Sequence, residues 1–167
     1  HLLEVLKPLA NFPLLSANIR SAAGEELFQR SVETRFPGSG TRILIFGLTT
    51  AETPHSTHPK NVKGITFQDP IESARELLKD AKEEDLVIAL THLGVYEDKR
   101  LAAAVPLIDV IIGGHSHTAL NDPLTVGKTI ICQAGAYAKF VGLLDLDVTD
   151  GTVVGHHGRL IPLDADV

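Results

Sequence analysis

Eight histidines are spread along the 167 residues, and three of them sit where a site is readily built. His92 follows directly on the apolar run Leu86–Leu90, in Thr91-His92-Leu93-Gly94. His115 and His117 follow the run Val110-Ile111-Ile112, in Gly113-Gly114-His115-Ser116-His117-Thr118. Neutral imidazole is the commonest protein ligand for zinc-, manganese- or iron-like ions. With one residue between them, His115 and His117 need not share an ion, and on a turn they could serve two neighbouring ions. A lone histidine at a strand end is ordinarily a hydrogen-bonded loop residue. Three at two adjacent strand ends, each beside Gly94, Gly113 or Gly114, favour a metal site, because glycine lets the backbone turn where a Cβ would obstruct it.

The other candidates read as structure. His55 and His58 lie in a polar loop and read as surface residues, with a lid role as the lesser alternative. His156 and His157 fall in the late strand meander and read as solvent-facing on one side. Asn18 reads as a hydrogen-bonder at a strand end, and Asp109 as structural because it precedes its strand. Asp145 and Asp147 alternate with Leu144, Leu146 and Val148, the pattern of a wet sheet face. The single cysteine, Cys132, reads as a buried structural thiol. The sequence carries no Ser-His-Asp constellation and no glycine-rich phosphate loop.

The elements that must position the three histidines are legible. Leu86–Leu90 and Val110–Ile112 read as strands buried on both faces, in parallel, joined by a helix over Glu97–Val105 that ends before Pro106. Ligands gather at the carboxyl ends of such strands. Asp69, Pro70 and Glu72 mark a helix start, and Ile71, Ala74, Leu77, Leu78 and Ala81 give that helix an apolar stripe. Leu27–Phe36 reads as an edge strand joined through Pro37-Gly38-Ser39-Gly40 to the strand Arg42–Leu48, as a hairpin. Phe12–Ile19 reads as a short buried strand, and Leu2, Leu3, Val5, Leu6 and Leu9 as one helical face. Lys128–Cys132, Phe140–Val148 and Val153–Pro162 read as a meander, turning at Asp150-Gly151. Helix–strand alternation followed by strands implies an α/β domain with a mixed sheet.

Composition narrows the functions. Apolar residues make up 44% and charged residues 22%, with a net charge of −6. This is a globular composition, and it argues against non-specific binding to a nucleic acid polymer or an anionic membrane. An anionic substrate remains compatible, since bound metal ions supply positive charge locally. No segment approaches the ~18 apolar residues of a membrane span. His1 opens into Leu2-Leu3-Glu4-Val5-Leu6 with no signal-peptide pattern.

The ordered motifs Asn11-Phe12-Pro13-Leu14-Leu15-Ser16-Ala17-Asn18-Ile19, Thr91-His92-Leu93-Gly94, Gly113-Gly114-His115-Ser116-His117-Thr118 and Gln133-Ala134-Gly135 resemble those of the 5′-nucleotidase family. That family belongs to the calcineurin-like metallophosphoesterases, with UDP-sugar hydrolases and 2′,3′-cyclic-nucleotide phosphodiesterases. The resemblance implies a four-layer αββα sandwich holding two divalent metals such as Zn, Mn or Fe. Carried over by position, His92 and His115 would ligate one ion and His117 the other. It also implies a nucleotide or small phosphate ester as substrate, and an extracellular or periplasmic setting. The family's Asp-x-His, bridging Asp and Gly-Asn-His-Glu/Asp motifs belong upstream of Asn11. The expectation is therefore that residues 1–167 form the C-terminal half of the domain, incomplete at the N-terminus. The acid/base histidine then lies outside it, and no catalytic residue can be named within it. Such a chain is expected to bind metal weakly, to be inactive alone, and to associate with itself or with its N-terminal counterpart. The alternative is a non-catalytic binding or assembly module that keeps half of the fold.

Overall fold

The computed structural model describes residues 7–82 and 85–163. Its elements run α1 (Lys7–Leu9), β1 (Ile19–Ser21), β2 (Ser31–Arg35), β3 (Arg42–Thr49), α2 (Thr53–Ser56), β4 (Ile65–Phe67) and α3 (Pro70–Leu78). They continue with β5 (Leu86–His92), α4 (Val95–Ala104), β6 (Val110–Ile112), β7 (Leu124–Val126), β8 (Thr129–Cys132), β9 (Phe140–Thr149) and β10 (Thr152–Pro162).

A six-stranded mixed sheet in the order β2-β3-β5-β6-β8-β7 is the frame. β3, β5, β6 and β8 are parallel, and β2 and β7 are antiparallel edges. The register pairs Thr49 with His92, Leu90 with Ile112, and Ile112 with Cys132. The carboxyl ends of four strands thus come out on one edge. β2 and β3 form the expected hairpin.

The core lies between this sheet and the helices α3 and α4. Leu44, Phe46 and Leu48 of β3, Val87 and Ala89 of β5, Ile111 of β6 and Ile131 of β8 pack there with Ala74, Leu78, Leu101 and Ala102. Helix α3 begins as its sequence dictates: the Asp69 side chain accepts from the Glu72 backbone N–H at 2.9 Å, with Pro70 in the first turn. Helix α4 starts two residues earlier than expected, at Val95. Gly94 precedes it at φ 91°, a conformation glycine adopts without strain.

The structure corrects the sequence reading at several elements. Phe12–Ile19 is not a strand over its length. It makes one bridge, Leu15 to Gln29, and only Ile19 enters β1. The segment instead crosses close over Gly47, where a Cβ would collide with the Leu15 carbonyl. The three late strands are not one meander: β8 joins the large sheet, whereas β9 and β10 form a separate two-stranded ribbon. The Asp150-Gly151 turn of that ribbon has φ 49° and 78°, positive at both central residues as a tight hairpin requires. β5 and β6 are not buried on both faces, for Leu90 is 40% and Ile112 48% exposed. Cys132 is half-buried rather than buried. The face expected to run through Leu2, Leu3, Val5 and Leu6 lies outside the described residues, and Leu9 is exposed.

Candidate metal centre

The parallel register carries His92, His115 and His117 to the same edge of the sheet. His92 is the last residue of β5, and the turn bearing the other two leaves β6, the next strand. The rings of His92 and His115 meet edge-to-face, with centroids 5.0 Å apart and planes at 65°. Gly114 makes this approach workable, since a Cβ there would lie 3.2 Å from His92 Nδ1. His117 is turned toward Tyr137, its ring centroid 5.4 Å away.

The turn itself is strained. His115 and His117 have φ of 76° and 55°, in the left-handed region. Non-glycine residues there cost roughly 1–3 kcal/mol each and persist only where the surroundings fix them. Ser116 supplies part of the fixing: its Oγ accepts from the Val95 N–H at 3.1 Å, and its hydroxyl lies 2.9 Å from that of Thr118.

Electrostatics favour neutral imidazole at His92. Partial burial holds the His92 pKa below its ordinary value, and the neighbouring His115 and His117 push the same way. A neutral ring keeps a lone pair free for a metal. The donor chemistry therefore fits a divalent ion. Among the described residues, however, no three His, Cys, Asp or Glu side chains close into a cage. His92 and His115 would be two ligands of an open site.

The remaining candidates fall where the sequence put them. His55, His58, His156 and His157 are exposed, as are Asp145 and Asp147. Asn18 is fully buried; its amide donates to the Thr49 and Gln68 carbonyls and accepts from the Thr49 N–H. Asp109 accepts from the Val87 N–H and from Lys128 Nζ, both at 2.9 Å.

Three residues at this edge had no role assigned by the sequence reading. Asp98 is fully buried and accepts from the Thr91 hydroxyl at 2.6 Å. Its other oxygen has no hydrogen-bond partner among the described residues, and burial raises its pKa to about 6. Its spacing with buried Leu101 and Ala102 on one helical face was the available signal. Gln133 follows β8 as His92 ends β5, and its amide reaches into the histidine turn. Tyr137 is 82% exposed at φ 60°, which no pattern in the sequence announces.

Residues 9–119 match the family model of the calcineurin-like phosphoesterases. The chain belongs to that family. Its similarity within the family runs to the 5′-nucleotidases. A 5′-nucleotidase of Vibrio cholerae serotype O1 is 34% identical over 97% of this chain and 35% of its own length. Among solved structures, the sulfate thiohydrolase SoxB of Thermus thermophilus superposes with a TM-score of 0.87 at 27% identity, over 95% of this chain and 30% of that one. A 5′-nucleotidase precursor from the same species, Thermus thermophilus, gives 0.77 at 28% identity, over 97% and 36%. The chain thus spans about a third of the length of the relatives it matches. The metallophosphoesterase family generally uses two divalent metals. No helix among the described residues is long and apolar enough to cross a membrane.

Proposed function

We propose that residues 1–167 form the C-terminal half of a metallophosphoesterase domain that hydrolyses nucleotides or related phosphate esters. His92 and His115 would hold one divalent ion and His117 the second. The observation that carries this reading is the meeting of His92 and His115 at 5.0 Å on the strand-end edge, from two separate strands. Divalent ions bound there would furnish a water nucleophile at neutral pH and draw charge from the phosphoryl oxygens. This chain's own part is to present the three imidazoles, fixed by the parallel register and the turn. The open ligand set supports a further point: alone, the chain binds metal weakly and does not turn over. The family kinship supports an extracellular or periplasmic setting for the intact protein.

The test is phosphate release from a nucleoside monophosphate and a generic phosphomonoester, with excess Mn²⁺ or Zn²⁺, alongside Zn²⁺ binding by calorimetry. The expected result is weak binding, lost on His115→Ala, and no turnover until the remainder of the domain is added. Robust turnover by the chain alone, abolished by His115→Ala, would refute its incompleteness. Zn²⁺ binding indifferent to His92→Ala and His115→Ala would refute the metal centre and favour a non-catalytic module.

A further inference from the structure

We propose that Gln133 is a positioning residue for the metal centre, its one buried amide setting the left-handed turn that presents His115 and His117. For its consequence on metal binding, this rests on the function proposed above.

The turn needs an external hold. Two of its residues are in the left-handed region, and His115, Ser116 and His117 are all exposed, so packing cannot impose the conformation. Hydrogen bonds must do it. Gln133, at the end of β8 and only 3% exposed, makes three of them. Its Oε1 accepts from the Ser116 hydroxyl at 3.0 Å and from the Thr118 N–H at 2.7 Å. Its Nε2 donates to the Gly114 carbonyl at 3.2 Å.

The pattern brackets each histidine. Residues 114 and 116 flank His115, residues 116 and 118 flank His117, and all three are tied to one planar amide. The separation of the two imidazoles is therefore set by a rigid group that is itself fixed, since the Gln133 backbone carbonyl accepts from the Leu120 N–H at 2.9 Å. The chemistry selects glutamine. A carboxylate keeps the two accepted bonds but sets an acceptor against the Gly114 carbonyl. A thioether of similar length loses all three.

The experiment uses the full chain, with Co²⁺ as the metal probe and the imidazole ¹⁵N signals recorded without metal. In Gln133→Met the signals of His115 and His117 should move while those of exposed His55 and His156 stay. Co²⁺ affinity should fall about tenfold to a hundredfold, the usual cost of losing a partner behind the ligands. Gln133→Glu, which keeps two of the three bonds, should return both histidine signals part of the way toward their native positions and recover part of the affinity. Unmoved His115 and His117 signals in Gln133→Met would overturn the proposal. So would equal movement of all histidines with no recovery in Gln133→Glu, which would mark a merely structural role. If Gln133→Met does not fold, Gln133→Asn decides on the same signals: its amide, one methylene short, cannot reach all three partners, so displaced His115 and His117 signals support the proposal and unmoved ones overturn it. Failure of Co²⁺ to bind the native chain would strike the metal reading alone, because the metal-free ¹⁵N signals still judge the turn.

Discussion

The two faces of the six-stranded sheet share one backbone and have opposite fates. On the helix side, Phe46, Ala89, Ile111 and Ile131 are fully buried beneath α3 and α4. On the other side, the β9–β10 ribbon lies over Ile88, Val110 and Cys132 but leaves a cavity of about 460 Å³ against them. Toward the histidine edge that face is bare at Leu90 and Ile112. Side chains alternate along a strand, so Ile88, Leu90 and His92 share this second face, which is uncovered from Leu90 onward. Thr91, with Val87 and Ala89, points to the buried one, where it meets Asp98. His92 therefore stands on the open face, with the His115 ring against it, whereas Thr91, Asp98 and Gln133 behind them are buried.

The largest break in this contrast comes from truncating the closed face. Phe46→Ala should cost about 3–5 kcal/mol, the usual range for removing a fully buried phenylalanine and leaving a cavity. Urea denaturation checks it. A loss below about 1 kcal/mol would mean that α3 and α4 do not hold the core.

The closed face was readable before the structure and the open face was not, for a physical reason. The start of α3 is fixed by local chemistry, and its stripe has the helical period, so Asp69, Ala74 and Leu78 announced themselves. The runs Leu86–Leu90 and Val110–Ile112 are apolar at every position. Such a run states that both faces suit burial, not that both are covered, and covering is a tertiary matter. Strand-end position likewise pointed to His92, His115 and His117, whereas the left-handed φ of the latter two had no local signature. β7 and β4 were missed because three-residue strands with half-buried side chains leave no periodic trace. Phe12–Ile19 misled because its apolar residues serve a backbone crossing over Gly47 rather than a ladder.

Asp98 offers a smaller test on the closed side. Burial raises its carboxyl to about 6 from the ordinary value of 3.8; the Thr91 hydroxyl opposes this, and the Glu97 carboxylate adds to it. The folded chain therefore holds this proton more tightly than the unfolded chain does. Unfolding releases the proton between pH ~4 and ~6, so this group's contribution to stability falls as pH rises through that window and levels off above it. The span is at most about 3 kcal/mol, roughly two pKa units at about 1.36 kcal/mol each. The checking measurement is the difference in urea midpoint between the native chain and Asp98→Asn at pH ~4.5, ~5.5 and ~7, chosen to straddle that window. The native chain should lose ground to the variant as pH rises. Parallel profiles would mean that Asp98 stays ionised, with its second oxygen reached by water.

The smallest expected effect is on the open face, and its smallness is what makes it diagnostic. Leu90 and Ile112 are neighbours in the β5–β6 register, both partly exposed and both next to the histidine edge. If the chain in solution leaves this face bare, the pair Leu90→Thr and Ile112→Thr removes little buried area. Stability should then change by less than about 1 kcal/mol, within reach of ordinary surface substitutions. Threonine is β-branched and suits a strand, so the ladder itself should be unaffected. A dye that reports exposed apolar surface should lose fluorescence in the double variant, and light scattering should show less association at high concentration. A loss approaching that of Phe46→Ala would require the opposite conclusion. It would mean that a second copy or a closed-down ribbon covers Leu90 and Ile112 in solution, and that both faces of the sheet are buried after all.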